Sequence, residues 1–376
     1  MVNFKGKYFL FLPNQWGYWW SDDLNKWNFV SRAFYYNKVY DEPCALAAWV
    51  MGDKHHVIGS THTKELAIWK STNPTIDDWK IAVPAFEGAA WDPAFLYDDD
   101  KRLYLYYGSS NFYPLYGWEI NPQTLQPIGE RKDLVRLYDD QHGWERFGDN
   151  NDNIFLKPFI EGAWVDKHNG KYYFQYGAPG TEFNGYADGV YVSDKPLGPF
   201  TYQKHNPFCY KPGGFIRGAG HGGSFKDNFG NWWHITTGVV AVKNNFERRL
   251  VLFPTGFDKD DIMYSNTTRR LPTYTTYYFY QPPQKRFYGL GCYFNYNKPV
   301  QVSSSLSGFT ANYAVDEDIK TYWSAQTSKK VNGFRATWVL FLRSMPFKSI
   351  MPTKMWTPSI SENLPTFTIN TAFGIH

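Results

Sequence analysis

Cysteine is scarce: Cys44, Cys209 and Cys292 stand far apart, with no C-x-x-C spacing among them. That excludes a disulfide framework and a cysteine zinc site, and leaves the three as small apolar fillers. An excess of charge of one sign is missing too. The 39 lysines and arginines against 35 aspartates and glutamates leave +4, too little to draw a nucleic acid or an anionic membrane. No apolar run approaches the roughly 20 residues of a membrane helix, and the opening MVNFKGKYFLFLP lacks the architecture of an export signal. Nothing in the sequence points to a protein partner.

What is abundant is aromatic: 16 Trp, 29 Tyr and 30 Phe make up 20% of the chain. Aromatic side chains favour strands and fill cores, and their flat faces also stack on the C–H faces of sugars. The arrangement says more than the amount. A unit of roughly 40–50 residues recurs, the period of a propeller blade. Each unit has a first strand, a Gly/Asp turn, an aromatic strand, and a third strand ending in Ser-Asp or Ser-Thr. Unit one shows Lys7–Phe11 and then Gly17–Leu24; unit two runs from Cys44–Met51 through the Gly52-Asp53 turn to His56–Ser60 and Ala67–Ser71. Unit three starts at Asp92, unit four near Asn153 with Asn169-Gly170 as a hairpin turn, and unit five at Gly218. Five such units predict an all-β chain, a five-bladed β-propeller.

First strands of a propeller start around one central funnel, so residues at their beginnings converge. Asp92, Glu161 and His221 hold those positions in units three, four and five. Around them Trp16, Trp91, Trp118 and Trp144 are candidate sugar platforms, and Arg217 and Arg146 candidate donors to sugar hydroxyls. The pair His55-His56 and His62 lack convergent carboxylates and read as structural. Gly220-His221-Gly222-Gly223 has the look of an esterase oxyanion loop, but no G-x-S-x-G elbow accompanies it.

Asp92-Pro93, Ile160-Glu161-Gly162-Ala163 and Gly220-His221-Gly222-Gly223-Ser224, in that order and at blade spacing, resemble the family 43 glycoside hydrolases. The resemblance covers about Phe4 to Asp261 and implies an inverting arabinofuranosidase or xylosidase acting on plant glycans. By the same resemblance Glu161 is the general acid and Asp92 the carboxylate that tunes it. His221 matches the funnel histidine that in many members holds one Ca2+. Physically, an ionised Asp92 beside Glu161 would raise the acid's pKa by like-charge repulsion. An inverting site also needs a base on the opposite sugar face. The family places that aspartate just before the first strand of blade one. Asp22, Asp23 and Asp41 do not match it. We therefore expect Met1 to be an internal residue of a longer product that carried an export signal, its parent periplasmic or extracellular. A propeller that binds sugar without cleaving it is the alternative.

Three regions are expected: a propeller over 1–261, a connector over 262–300, and an incomplete domain over 301–376. In the last, Val302–Ser305 and Ala314–Ala325 resemble the opening of a discoidin-type β-sandwich, whose W-x-x-x-D-L-G continuation does not follow. Read two bases later, freely chosen codons for Gly333 to His376 can spell a segment containing the missing D-L-G. The tail after about 333 is thus expected to be aberrant, and Arg269 to Gly291 in the connector resembles a second such segment.

Overall fold

The computed structural model describes residues 1–12, 16–32, 44–60, 67–86, 88, 91–213, 216–239, 248–267, 299–316, 323–327, 333–339 and 366–372. The aberrant connector segment expected at Arg269 to Gly291 lies outside them, as do His62 and Asp41. The chain forms two units, Met1–Phe257 with Met263–Arg286, and Asp258–Ile262 with Phe287–His376.

The first unit is built of blades in chain order, the first three separate four-stranded antiparallel sheets and the last two joined in one nine-stranded sheet. Blade one is β1 (Val2–Phe4), β2 (Lys7–Phe11), β3 (Gly17–Ser21) and β4 (Asn28–Ser31). Blade two is β5 (Cys44–Met51), β6 (Lys54–Ser60), β7 (Ile68–Ser71) and β8 (Lys80–Val83). Blade three is β9 (Ala94–Tyr97), β10 (Leu103–Tyr107), β11 (Leu115–Ile120) and β12 (Pro127–Val135). Blade four is β13 (Glu161–His168), β14 (Lys171–Ala178) and β15 (Ala187–Ser193), with the short β16 (Thr201–Tyr202) and β17 (Cys209–Tyr210) both paired to β15. Blade five is β18 (Arg217–Lys226), β19 (Trp232–Val239), β20 (Arg248–Phe257) and β21 (Met263–Ser265). In blade one the first strand is β1, so Lys7–Phe11 comes second, after a Lys5-Gly6 turn with φ of 51° and 76°. Asn169-Gly170 turns the β13–β14 hairpin in the same conformation, φ 47° and 77°, which suits the twist of paired strands.

The repeated polar residue after each third strand has a local cause. The N–H of Asp23, Asn73 and Lys195 donates to the hydroxyl of Ser21, Ser71 and Ser193, and in blade three Gln123 N–H donates to Asn121 Oδ1. Each strand is thereby turned out of its sheet by a side chain two residues back. Asp22 and Asp23 belong to this turn: Asp22 pairs with Lys7, and Asp23 accepts from the N–H groups of Asn25 and Lys26.

The five first strands touch in a ring, β1 to β5 to β9 to β13 to β18 and back to β1. An aromatic contact fills each seam. Phe11 meets Trp79, Trp49 stacks on Phe95 at 4.0 Å, Tyr106 meets Phe174, Tyr173 meets Phe257, and Tyr8 meets Phe225. Part of the aromatic excess is thus spent between blades, where large flat side chains bury much apolar area. Blades four and five share one further tie, a parallel bridge between Ala187 and Ala219. Blades five and one are clasped by Asn228. Its amide donates to the Gly6 carbonyl and its N–H to the Tyr8 hydroxyl, and the Asn3 amide donates to its Oδ1.

In the second unit, β22 (Val300–Val302), β23 (Gly333–Val339) and β24 (Thr366–Ala372) form a three-stranded antiparallel sheet. The Trp323 indole N–H donates to the Ser304 carbonyl. Strand β23 begins at Gly333, where the discoidin-like pattern breaks off; Phe334-Arg335-Ala336-Thr337-Trp338-Val339 alternates well enough to pair at both edges. Among the described residues no helix is long and apolar enough to cross a membrane.

Candidate active site

Asp92, Glu161 and His221 come together. One ligating atom from each lies within 4.8 Å of the others. The backbone at all three is irregular: Asp92 has φ 50° and His221 φ 57°, and Glu161 precedes a bulge at Gly162, φ 66°. Positive φ strains a residue with a Cβ, and such strain persists only where the surroundings impose it. Gly162 is required for close approach, because a Cβ there would stand 2.8 Å from the His221 ring.

His221 stands between the carboxylates, its Nδ1 3.6 Å from Glu161 Oε2 and 4.0 Å from Asp92 Oδ2. The other Glu161 oxygen accepts from the Tyr186 hydroxyl at 2.6 Å. Asp92 is 6% exposed, and its Oδ2 is buried without a hydrogen-bond partner. These contacts set the charges. Burial raises Asp92 to about 6, against the pull of His221. Burial also acts to raise Glu161, but His221 and Tyr186 outweigh it and hold that carboxyl below its usual value. Burial would lower His221, yet the two carboxylates lift it to about 9. The expected direction is therefore reversed: the carboxyl that rises is that of Asp92, where burial prevails, whereas at Glu161 the contacts with His221 and Tyr186 prevail.

The other candidates scatter. Trp16, 65% exposed, lies in the loop between β2 and β3, on the face where first strands begin. Trp91 precedes Asp92, and its carbonyl accepts from Gly108 N–H at 2.7 Å. Trp144 belongs to the packing of blade four rather than to the funnel: its indole donates to the Tyr202 hydroxyl and its ring meets Tyr176. Trp118 donates to the Gly129 carbonyl, and Arg146 to that of Asp139. Arg217 opens β18, half-buried and four residues before His221. His55 and His56 are buried in strand β6, as structural histidines would be.

Calcium takes about six to eight oxygen ligands. The cluster offers three donor atoms, one of them a nitrogen already set between two carboxylates. That donor set fits a charged triad and does not by itself make a calcium cage. Tyr186 is the site residue missing from the sequence reading. It lies immediately before β15, and no motif in the sequence marks it.

Residues 1–263 match the profile of Glycosyl hydrolases family 43. The chain is 30% identical over 170 residues to an arabinoxylan arabinofuranohydrolase of Paenibacillus polymyxa, covering 43% of this chain and 25% of that protein. It is 31% identical over 132 residues to a beta-xylosidase of Xylanibacter ruminicola, covering 30% and 39%. It thus spans well under half the length of these relatives. Among solved structures it resembles an endo-1,4-beta-xylanase from Bacteroides thetaiotaomicron, with a TM-score of 0.58 at 20% identity, covering 70% of this chain and 91% of that one. An exo-1,5-alpha-L-arabinanase from a bovine ruminal metagenomic library gives 0.55 at 21%, covering 71% and 95%. These structures share the fold. With 263 of its 376 residues matched, the chain belongs to glycosyl hydrolases family 43.

Proposed function

We propose that this chain is an inverting O-glycosyl hydrolase of α-L-arabinofuranosyl or β-D-xylosyl linkages in plant glycans. The observation that carries the reading is the Asp92, Glu161 and His221 cluster in a chain of this family. Cleavage passes through an oxocarbenium-like transition state, and a sugar leaving group needs a proton as its bond breaks. Glu161 is the proposed donor. A glycan seated over the cluster removes water from Glu161, and that desolvation moves its pKa upward. His221, 3.6 Å away, holds the carboxyl of Glu161 in place. Asp92 cannot be the opposing base. Its ligating oxygen lies within 4.8 Å of that of Glu161, whereas an inverting pair stands about 6.5–9.5 Å apart to admit water. Its proposed part is to keep His221 protonated and in place. The names of the relatives support the pentose classes, and a polysaccharide substrate accords with a periplasmic or extracellular location.

The second reading is a propeller that binds sugar without cleaving it, favoured by the engagement of Asp22 and Asp23 in a blade-one turn. Proton NMR of the first sugar released from nitrophenyl α-L-arabinofuranoside and β-D-xyloside separates the two. Pentose of inverted anomeric configuration is expected. Oligosaccharide binding without release would favour the second reading, and neither binding nor release would overturn both.

A further inference from the structure

Behind the funnel, β15 and β19 carry a second polar group. Asp188, 1% exposed, lies beside the parallel bridge that joins blades four and five. Its Oδ2 accepts from Gly222 N–H at 3.1 Å and from the Thr236 hydroxyl at 3.1 Å, and lies 2.8 Å from His234 Nε2. The Thr236 and Thr237 hydroxyls also lie 2.9 and 2.8 Å from the Gly220 carbonyl. Gly220 and Gly222 are the two neighbours of His221, and the β18–β19 register slips on both sides of Gly220. Space there is closed: a Cβ on Gly222 would stand 2.3 Å from His234 Nε2, and one on Gly220 would stand 2.6 Å from the Tyr186 ring. The peptide units flanking His221 are therefore fastened from behind, while its side chain points at the carboxylates.

We propose that Asp188, with Thr236, is a positioning residue for the reaction, holding the bulge of β18 that sets His221 between Asp92 and Glu161. A bulge re-aims one side chain, and a left-handed conformation at a residue with a Cβ is kept only when its neighbours impose it. Asp188 imposes it at Gly222 and Thr236 at Gly220. Release of either lets the ring of His221 drift from Glu161, and protonation of the leaving oxygen suffers first. Poor leaving groups depend on that proton and nitrophenolate does not.

The inference rests on the glycosidase reading, and its test separates the two. Asp188→Asn and the near-isosteric Thr236→Val are compared with wild type on a nitrophenyl and an alkyl glycoside of the same pentose. The expected kcat falls about tenfold or more on the alkyl substrate and less than about threefold on the nitrophenyl one, with KM within about twofold. Equal losses on both substrates, or no loss, would overturn the proposal. Where Asp188→Asn does not fold, Thr236→Val carries the test. If the wild type cleaves neither substrate, the glycosidase reading fails by itself. The His221 ring resonance in histidine-labelled protein, assigned with His221→Gln, then decides the positioning role: displacement in the variants supports it, and an unmoved signal overturns it.

Discussion

Two histidine–carboxylate groups occupy adjacent strands of blade five and are opposites. In the funnel, His221 is partly exposed and stands 3.6 and 4.0 Å from two carboxylates, one of which keeps a buried oxygen unpartnered. Behind it, His234 is fully buried, with Asp188 at 2.8 Å on one nitrogen and Ser224 Oγ at 3.0 Å on the other. Ser224, His234 and Asp188 have the make-up of a nucleophilic triad. Yet Ser224 is 1% exposed and donates onward to Gln175, which donates to Asp166. Residue types therefore do not separate a reactive group from a scaffold. What separates them here is satisfaction: the closed line has its partners, and the open one has strained backbone and an unmet oxygen.

The contrast can be broken in several ways, in order of expected effect. Glu161→Gln should lower kcat on substrates with poor leaving groups by about a thousandfold while sparing binding; steady-state kinetics beside calorimetric binding would check both halves. Tyr186→Phe should cost about tenfold, since a carboxylate that loses a donor is a misplaced acid with a raised pKa. The alkaline limb of its pH–rate profile, which the general acid sets, should move upward. Ser224→Ala should leave kcat per folded molecule unchanged and lower unfolding free energy by about 1–3 kcal/mol in denaturant titration. A collapse of turnover with stability intact would make the buried line the reactive one.

The pH dependence of stability sharpens the contrast with a third histidine. His55 is buried in a cage of Phe4, Phe9, Phe11 and Trp79, neither ring nitrogen has a partner, and burial lowers its pKa from 6.5 to about 3. A folded pKa below the unfolded one gives stability that is full above pH 6.5 and is lost as pH falls toward 3. His221, lifted from 6.5 to about 9, contributes stability that is full below 6.5 and is lost as pH rises through 9. Thermal melts should show His55→Leu flattening the acid side and His221→Gln the alkaline side. The smallest effect expected is none: dialysis against EDTA should leave turnover unchanged, and a loss restored by calcium would reinstate a metal at His221.

The blades were legible because each hairpin carries its own local chemistry, such as Asn169-Gly170 and the serines that end third strands. Asp92, Glu161 and His221 were legible because a first strand's start is a place that sequence order can name. Tyr186 and Asp188 were not, since their partners lie on other strands, Glu161 on β13 for the one and Gly222, His234 and Thr236 on β18 and β19 for the other, and such pairings leave no mark along the chain. Trp144 shows the converse: a tryptophan that packs inside a blade and one that faces a sugar read alike. The sign of the Glu161 shift was not legible because order along the chain identifies the like charge of Asp92, whereas His221 and Tyr186 beside the carboxyl outweigh burial there.

The Asn228 clasp bears on how the ring comes apart. Among the described residues no strand passes from blade five into blade one, so that seam has no shared sheet and rests on side chains, chiefly one asparagine and the Tyr8–Phe225 contact. Elsewhere the chain itself runs across each seam. Among the described residues the propeller closes on this clasp, and the amides beside Asn228 should be the first to exchange with heavy water as it loosens.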